Sequence, residues 1–284
     1  MESVMLCSKG EWKKWPEGMY WEPKLDGART LAGKIGDEVK LIGRHKTNFT
    51  EKFPEIVADL KTYPNKLVIL DGEIIAKDYS TLSGRVHLED KFNIELRKQV
   101  EPCDFCTFDI LALDDITAIY NRPLKERKEI LYKLGERGHV KIVRPQPLDE
   151  LLKLVEEKKI EGVVAKDPNS KYELRRSTSW VKFRRERTID LVIIGYEDSD
   201  KPKRPYRSLI FTYKGREAQA SSGLSEADLE LTSQLFAQEP KHQVGTKWYF
   251  DKPRYVAELA FYGDSEIAWR FPRVVKVKLE KITV

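Results

Sequence analysis

Cysteine is scarce in this chain of 284 residues: Cys7, Cys103 and Cys106 are all there are. So small and odd a count argues against a disulfide-stapled secreted scaffold. Cys103 and Cys106 have the spacing of half a metal or redox motif, but no second pair answers them and histidine numbers four. They read as two small residues at a strand start. No apolar run approaches the ~20 residues of a membrane-spanning helix. The N-terminus has no basic segment followed by an apolar one, so no signal peptide is expected. Internal repeats and low-complexity tracts are absent too. A reducing, intracellular setting without a membrane partner fits these absences.

What is present describes a globular protein. Hydrophobic residues make up 40% and charged residues 34%, and the length allows one large domain or two ordinary ones. The formal net charge is +5, a mild lean toward polyanionic partners. It is unevenly spread. Lys171–Arg187 carries seven basic residues against two acidic ones, and Lys201–Arg207 carries four basic and no acidic residue. Basic runs are ordinarily solvated faces, so their meaning depends on what lies beside them.

The first 187 residues mix strands and helices. Leu67–Leu70, Phe105–Leu111 and Gly162–Ala165 have the short, branched or aromatic composition of buried strands. Phe53, Ile56, Val57 and Leu60 recur at helical spacing behind Pro54, a first-turn residue. Pro123 opens a second helix with Leu124, Leu131 and Leu134, and Asp149 is placed to cap a third, running to about Lys158. Beyond Arg187 the texture changes. Leu191–Tyr196, Leu209–Tyr213, Lys247–Phe250, Val256–Phe261 and Val274–Leu279 read as short strands, interrupted by one helix near Ser225–Gln238 with Ser225 and Asp228 as its cap pair. Five strands and one helix suit a small Greek-key barrel of the oligonucleotide-binding (OB) type. The boundary is expected near Arg187–Asp190, which divides the chain into 1–187 and 188–284.

Several short stretches carry chemistry. Lys24-Leu25-Asp26-Gly27-Ala28-Arg29 sets a potential nucleophile beside a carboxylate, a glycine that lets backbone approach a ligand, and a planar guanidinium fork. The same six residues also fit a surface turn. A lysine with an ordinary pKa of ~10.4 attacks phosphorus only where burial or nearby positive charge favours its neutral form. Such a site needs further cations, and carboxylates for a divalent metal. Asp71-Gly72-Glu73 follows the strand Leu67–Leu70. Phe108-Asp109 lies in another strand, where Phe108 serves either as core or as a platform for a base. Glu161 precedes Gly162–Ala165, and Lys166, which alone reads as a surface lysine, closes that strand. In Trp180-Val181-Lys182-Phe183-Arg184, period two puts Lys182 and Arg184 on one strand face, a grip for a triphosphate.

These stretches, with Leu41-Ile42-Gly43-Arg44, occur in the order and at the approximate spacing of the motifs of ATP-dependent DNA ligases. Ser222–Ser225, Val244-Gly245 and Arg270–Lys278 resemble the barrel domain of the same family, and the likeness runs from about Met19 to Lys281. The resemblance implies an α+β fold: a nucleotidyltransferase (adenylation) domain of antiparallel sheets with flanking helices, then a β-barrel OB domain that swings about a hinge near Arg187. It implies that Lys24 is the adenylated nucleophile and that Arg29 and Glu73 contact the ribose or the DNA end. Phe108 would stack on adenine, and Lys166 would join the nucleotide set. Glu161, with Glu73, would bind Mg²⁺ (Mn²⁺ substituting). Lys182 and Arg184 would hold the α-phosphate, and Asp26 would act near the 3′-hydroxyl. Arg44 and Arg176 would bind the 5′-phosphate of the nick, and Arg273 and Lys276 would orient pyrophosphate.

The chain departs from the family where members often carry arginine in place of Lys276 and Lys278, which removes a bidentate contact, and in its ending Glu280-Lys281. The 23 residues before Lys24 leave no room for the helical DNA-binding domain of larger ligases. The nicotinamide-binding domain and four-cysteine zinc module of NAD-using relatives are also missing, so ATP is the expected cofactor. The resemblance thus implies a two-domain, cytoplasmic or nucleoid-associated monomer that seals nicked duplex DNA. The loop containing Lys201, Lys203, Arg204 and Arg207 fits either a DNA clamp or a plain solvated loop. RNA ligases and mRNA-capping guanylyltransferases share Lys-x-Asp-Gly and are the nearest alternatives. A non-catalytic nucleic-acid-binding module would have no need of Lys24.

Overall fold

The computed structural model describes residues 4–11, 14–115, 118–157, 159–184, 186–202, 204–262 and 270–278. Contacts divide the chain into two compact units, Met1–Arg184 and Arg185–Val284. No helix among the described residues is long and apolar enough to cross a membrane.

The first unit is a mixed α/β fold. In chain order its elements are β1 (Leu6–Lys9), β2 (Tyr20–Lys24), β3 (Ala28–Ile35), β4 (Glu38–Gly43), α1 (Pro54–Lys61), β5 (Leu67–Ile75), α2 (Tyr79–His87), α3 (Lys91–Val100), β6 (Asp104–Leu113), α4 (Leu124–Leu134), β7 (Val140–Ile142), α5 (Leu148–Glu156), β8 (Gly162–Lys166) and β9 (Arg176–Arg184). One sheet has the order β4-β3-β5-β6-β7 and the other β1-β9-β8-β2. The sheets are not wholly antiparallel as expected: β6 pairs with β7, and β1 with β9, in parallel. Pro54 starts α1 because a first-turn residue needs no N–H partner, and Ile56 and Leu60 bury its inner face with Phe53, Val68, Leu70 and Phe105. A second apolar cluster, with Leu31, Phe108, Leu111, Tyr172 and Trp180, draws on both sheets.

Asp71-Gly72-Glu73 does not follow its strand but lies inside β5, which continues to Ile75. Helices α2 and α3, capped by Asp78 on Thr81 N and by Asp90 on Asn93 N, were not anticipated. Asp149 sits in the first turn of α5 and does not cap it; the N-cap residue is Pro147.

The second unit contains β10 (Arg187–Asp198), β11 (Tyr206–Tyr213), β12 (Arg216–Ala220), α6 (Glu226–Ala237), β13 (Lys241–Val244), β14 (Lys247–Phe250), β15 (Val256–Tyr262) and β16 (Arg270–Lys278). Among the described residues that is seven strands against the five expected, β12 and β13 being the additions; Leu279 lies outside the described residues. Strand β10 is long enough to serve two pairings. Arg187–Val192 pairs with β15, while the stretch from Ile193 onward pairs with β11 and β14. All these ladders are antiparallel, with β12 beyond β11, β13 beyond β14 and β16 beyond β15. Phe211, Phe236, Phe250, Tyr255 and Leu259 fill the core. Helix α6 opens on a capping box in which Ser225 and Asp228 bond reciprocally, a local sequence signal that tertiary context leaves intact.

Candidate active site

Strand registers in the first unit gather its charged residues. Lys24, at the end of β2, lies across from Gly162, and Gly162 lies across from Arg184. Val164 lies across from Lys182 and Lys166 from Trp180, while β3 and β5 set Arg29 opposite Glu73. Gly27, between Lys24 and Arg29, is a close-approach glycine: a Cβ there would stand 2.2 Å from the Ile74 carbonyl oxygen. The result is a cavity of about 200 Å³ lined by Lys24, Arg29, Arg44, Glu73, Phe108, Lys166, Arg176, Lys182 and Arg184, together with Glu22, Cys7 and Trp180.

Lys24 Nζ donates to Glu161 Oε2 at 2.5 Å, and Arg184 Nε is 2.8 Å from the other oxygen of the same carboxylate. Glu161 is therefore fixed between the candidate nucleophile and a candidate phosphate ligand. Burial lowers the Lys182 pKa, and the positive charges of Arg184, Lys24 and Arg176 lower it further against an opposing contribution from Cys7. Burial likewise raises the Glu73 carboxyl, with Arg29 and Lys24 pulling it back and Asp71 and Glu161 adding to the rise. Among the described residues no group of three or more His, Cys, Asp or Glu side chains could hold a metal by itself. Glu73 and Glu161 still form a pair of hard-oxygen donors, Glu161 being close enough to add to the rise of the Glu73 carboxyl. Mg²⁺ is usually held in that way, by one or two carboxylates plus substrate phosphates, so the residues fit it in the company of a nucleotide.

Phe108 sits among cations: Arg29 Cζ is 4.5 Å and Lys166 Nζ 4.1 Å from its ring centroid, and Trp180 meets it edge-on at 6.0 Å. The reading of Lys166 as a surface residue is corrected, because it is only 3% exposed. Its ammonium lies 2.7 Å from Glu22 Oε2, and Glu22 Oε1 pairs with the buried Lys128. Burial opposes the charge on Glu22, but the two lysines hold its carboxyl below the ordinary range. Burial also brings the Lys128 ammonium down to about 8, with Glu22 supporting its charge. Lys128 Nζ donates to the Val143 carbonyl at 2.9 Å.

Asp71 holds Arg29 through bonds of 2.7 Å to Nε and 2.6 Å to Nη2, and Asp109 holds Arg127 in the same bidentate way at 2.8 Å. Asp71 and Asp109 were read from sequence only as members of their motifs, with no role of their own, and Glu22, Lys128, Arg127 and Tyr172 were not singled out. The available signal was an acidic residue inside an otherwise apolar strand, which has to be paired.

Not every expected residue lines this cavity. Asp26 is exposed on the turn between β2 and β3 and is not among the lining residues. In the second unit, Arg273 on β16 binds Glu186 at 2.7 Å, and Lys276 on the same strand is exposed. Lys201 and Arg207 are exposed. Arg204 donates to the carbonyls of Tyr206, Arg207 and Ser221. Lys203 lies outside the described residues.

The part of the chain that forms this cavity is also the part that a known family matches. The family model of the ATP dependent DNA ligase domain matches residues 5–184. DNA ligase 1 of Methanosarcina mazei is 27% identical, over 92% of this chain and 55% of that protein. The SPbeta prophage-derived DNA ligase-like protein LigB of Bacillus subtilis is 31% identical, over 65% of this chain and 67% of its own length. The crystal structure of the ligase domain of M. tuberculosis LigD aligns over 99% of this chain and 96% of that one, with a TM-score of 0.54 at 23% identity; at that identity the likeness concerns the fold. The chain spans about half the length of the full-length DNA ligases it matches. The family model runs from the residue before β1 to the last residue of β9, so it covers every strand that builds the cavity, and the chain belongs to the ATP-dependent DNA ligase family.

Proposed function

We propose that this chain is an ATP-dependent DNA ligase that seals 5′-phosphate/3′-hydroxyl nicks through a lysyl-AMP and then a DNA-adenylate. The observation that carries this reading is Lys24 Nζ held 2.5 Å from Glu161 in a cavity whose other charged lining suits a nucleoside triphosphate. Nζ attacks the α-phosphorus; an N–P bond forms and the P–O bond to pyrophosphate breaks. Glu161 orients the amine and is the nearest group able to take its proton. Phe108, backed by Lys166, offers the base a face, while Arg29 and Glu73 reach the ribose. Lys182 and Arg184 stabilise the charge that develops on the α-phosphate oxygens, with the advantage that fixed donors have over water. Glu73 and Glu161 would hold Mg²⁺, or Mn²⁺ in its place, which when bound neutralises charge on phosphate oxygens.

AMP then passes to the nick's 5′-phosphate, held by Arg44 and Arg176, and the 3′-hydroxyl near Asp26 displaces it. We read residues 1–187 as the adenylation domain and residues 188–284 as an OB-fold domain. Its Arg273 and Lys276 would orient pyrophosphate, and its Lys201, Lys203 and Arg207 would contact DNA backbone. The protein would act as a monomer. The test is transfer of label from α-labelled ATP, GTP or NAD to the protein, followed by sealing of nicked DNA or nicked RNA, with wild type and Lys24→Ala. Label from ATP that survives denaturation, depends on Lys24 and is followed by DNA sealing is expected. Sealing by Lys24→Ala would refute the assignment, and labelling from GTP would move the protein to the capping enzymes.

A further inference from the structure

Tyr172 lines no part of the cavity, yet its hydroxyl closes a ring of hydrogen bonds around Arg29. It donates to Asp71 Oδ2 at 2.7 Å and accepts from Met5 N at 3.1 Å. Asp71, fully buried, binds Arg29 at both Nε and Nη2, and Arg29 Nη2 returns to the Met5 carbonyl at 3.1 Å. Every bond of the circuit Tyr172–Asp71–Arg29–Met5 thus restrains the guanidinium that also lies over Phe108. The tyrosine ring is itself fixed, edge-on to Trp180 at 5.8 Å and under Arg127 at 5.9 Å. Burial and the adjacent Asp71 carboxylate raise the phenol's pKa, so it stays a donor. The same circuit reaches the other candidate anion site. Tyr172 lies four residues before Arg176, whose Nη1 donates to the carbonyl of Cys7, two residues beyond Met5.

We propose that Tyr172 is a positioning residue for Arg29: its hydroxyl orients the Asp71 carboxylate, which sets the guanidinium against the nucleotide during lysine adenylation. This rests on the ligase reading above. Tyr172→Phe keeps the ring contacts and removes only the hydroxyl. Asp71 still retains both bonds to Arg29, so the expected loss in the rate of lysyl-AMP formation is about tenfold, the lower end for a hydrogen bond to a charged group.

The experiment is a double-mutant cycle, Tyr172→Phe with Arg29→Ala, read as single-turnover label transfer below the melting temperature of every variant. If Tyr172 acts through Arg29, the double variant is no slower than Arg29→Ala alone. Multiplying losses would overturn the proposal, because a merely structural role would slow both backgrounds alike. As a second variant, 3-fluorotyrosine at position 172 keeps the hydroxyl and is expected to restore at least half the wild-type rate; a rate as low as that of Tyr172→Phe also overturns it. A wild-type chain that takes no label from ATP would instead refute the ligase reading itself, so the two failures are distinguishable.

Discussion

Arg127 and Asp109 form a buried ion pair, both side chains fully buried, and removing one partner is a sharp test of what an unpaired buried charge costs this unit. The pair is bidentate at 2.8 Å on both sides. The remaining guanidinium nitrogen donates to the carbonyls of Arg122 and Ser170, and Asp109 immediately follows Phe108. Arg127→Met preserves much of the apolar stem and strands the Asp109 charge away from water. Breaking a buried pair in this way costs about 3–5 kcal/mol. For a unit of this size each kcal/mol corresponds to roughly 2–4 °C in melting temperature, so a fall of about 10 °C is expected. Replacing both partners, Asp109→Leu with Arg127→Met, removes the stranded charge and should recover more than half of that fall, but not all of it, because the two carbonyls lose their donor. Thermal melting followed by circular dichroism reads all three variants at one pH. An Arg127→Met protein melting within about 2 °C of the parent, or a double variant no better than the single, would refute the claim that an unpaired buried charge sets the loss.

Other consequences are as direct. Gly27→Ala places a methyl group 2.2 Å from the Ile74 carbonyl; shifting the turn by about 1 Å should slow lysine adenylation roughly 100-fold, and a normal rate of label transfer would contradict the close-approach role. Glu73 has a folded pKa raised by burial, so ionising it opposes folding. Wild-type stability is thus reduced above the folded pKa, and the penalty fades as pH falls to the carboxyl's ordinary range. Glu73→Gln should accordingly melt higher than the parent at pH 7.5, with the gain shrinking toward pH 4.5, while label transfer falls; a gain that grew in acid would reverse the sign. Arg44→Ala and Arg176→Ala should each weaken binding to nicked duplex and reduce the salt slope by about one counterion, with sealing losing more than lysyl-AMP formation. Filter binding across a salt series checks this.

Local patterns carried much of this architecture. Pro54 and the Ile56/Leu60 spacing marked α1, Ser225 and Asp228 marked α6, and the alternation around Lys182 and Arg184 put both cations on the cavity side of β9. Elements whose stability comes from elsewhere stayed hidden. Helix α3 buries Ile94, while Phe92, Leu96 and Val100 on its other side are exposed, so its apolar periodicity points away from the core. Strands β12 and β13 are polar and are held by ladder bonds to neighbours. Asp71-Gly72-Glu73 has turn composition, yet Asp71 continues a central strand because Arg29, 42 positions earlier, neutralises it.

The same reasoning separates the legible from the illegible part of the site. The residue types a phosphate site needs were visible in order along the chain, because each motif is local. Their partners were not: Lys24 meets Glu161 across 137 positions, and Tyr172 meets Asp71 across 101. No propensity encodes a contact at that range, but a buried charge without a counter-charge is too costly to persist. Glu22 in β2 and Asp109 in β6 therefore announce that a cation must arrive, without saying which. Lys166 and Lys128 answer the first, and Arg127 answers the second. Lys166, 4.1 Å from the Phe108 ring centroid, is itself part of the cavity lining, so a pair that neutralises the interior of the fold also helps to form the surface on which a nucleotide would rest.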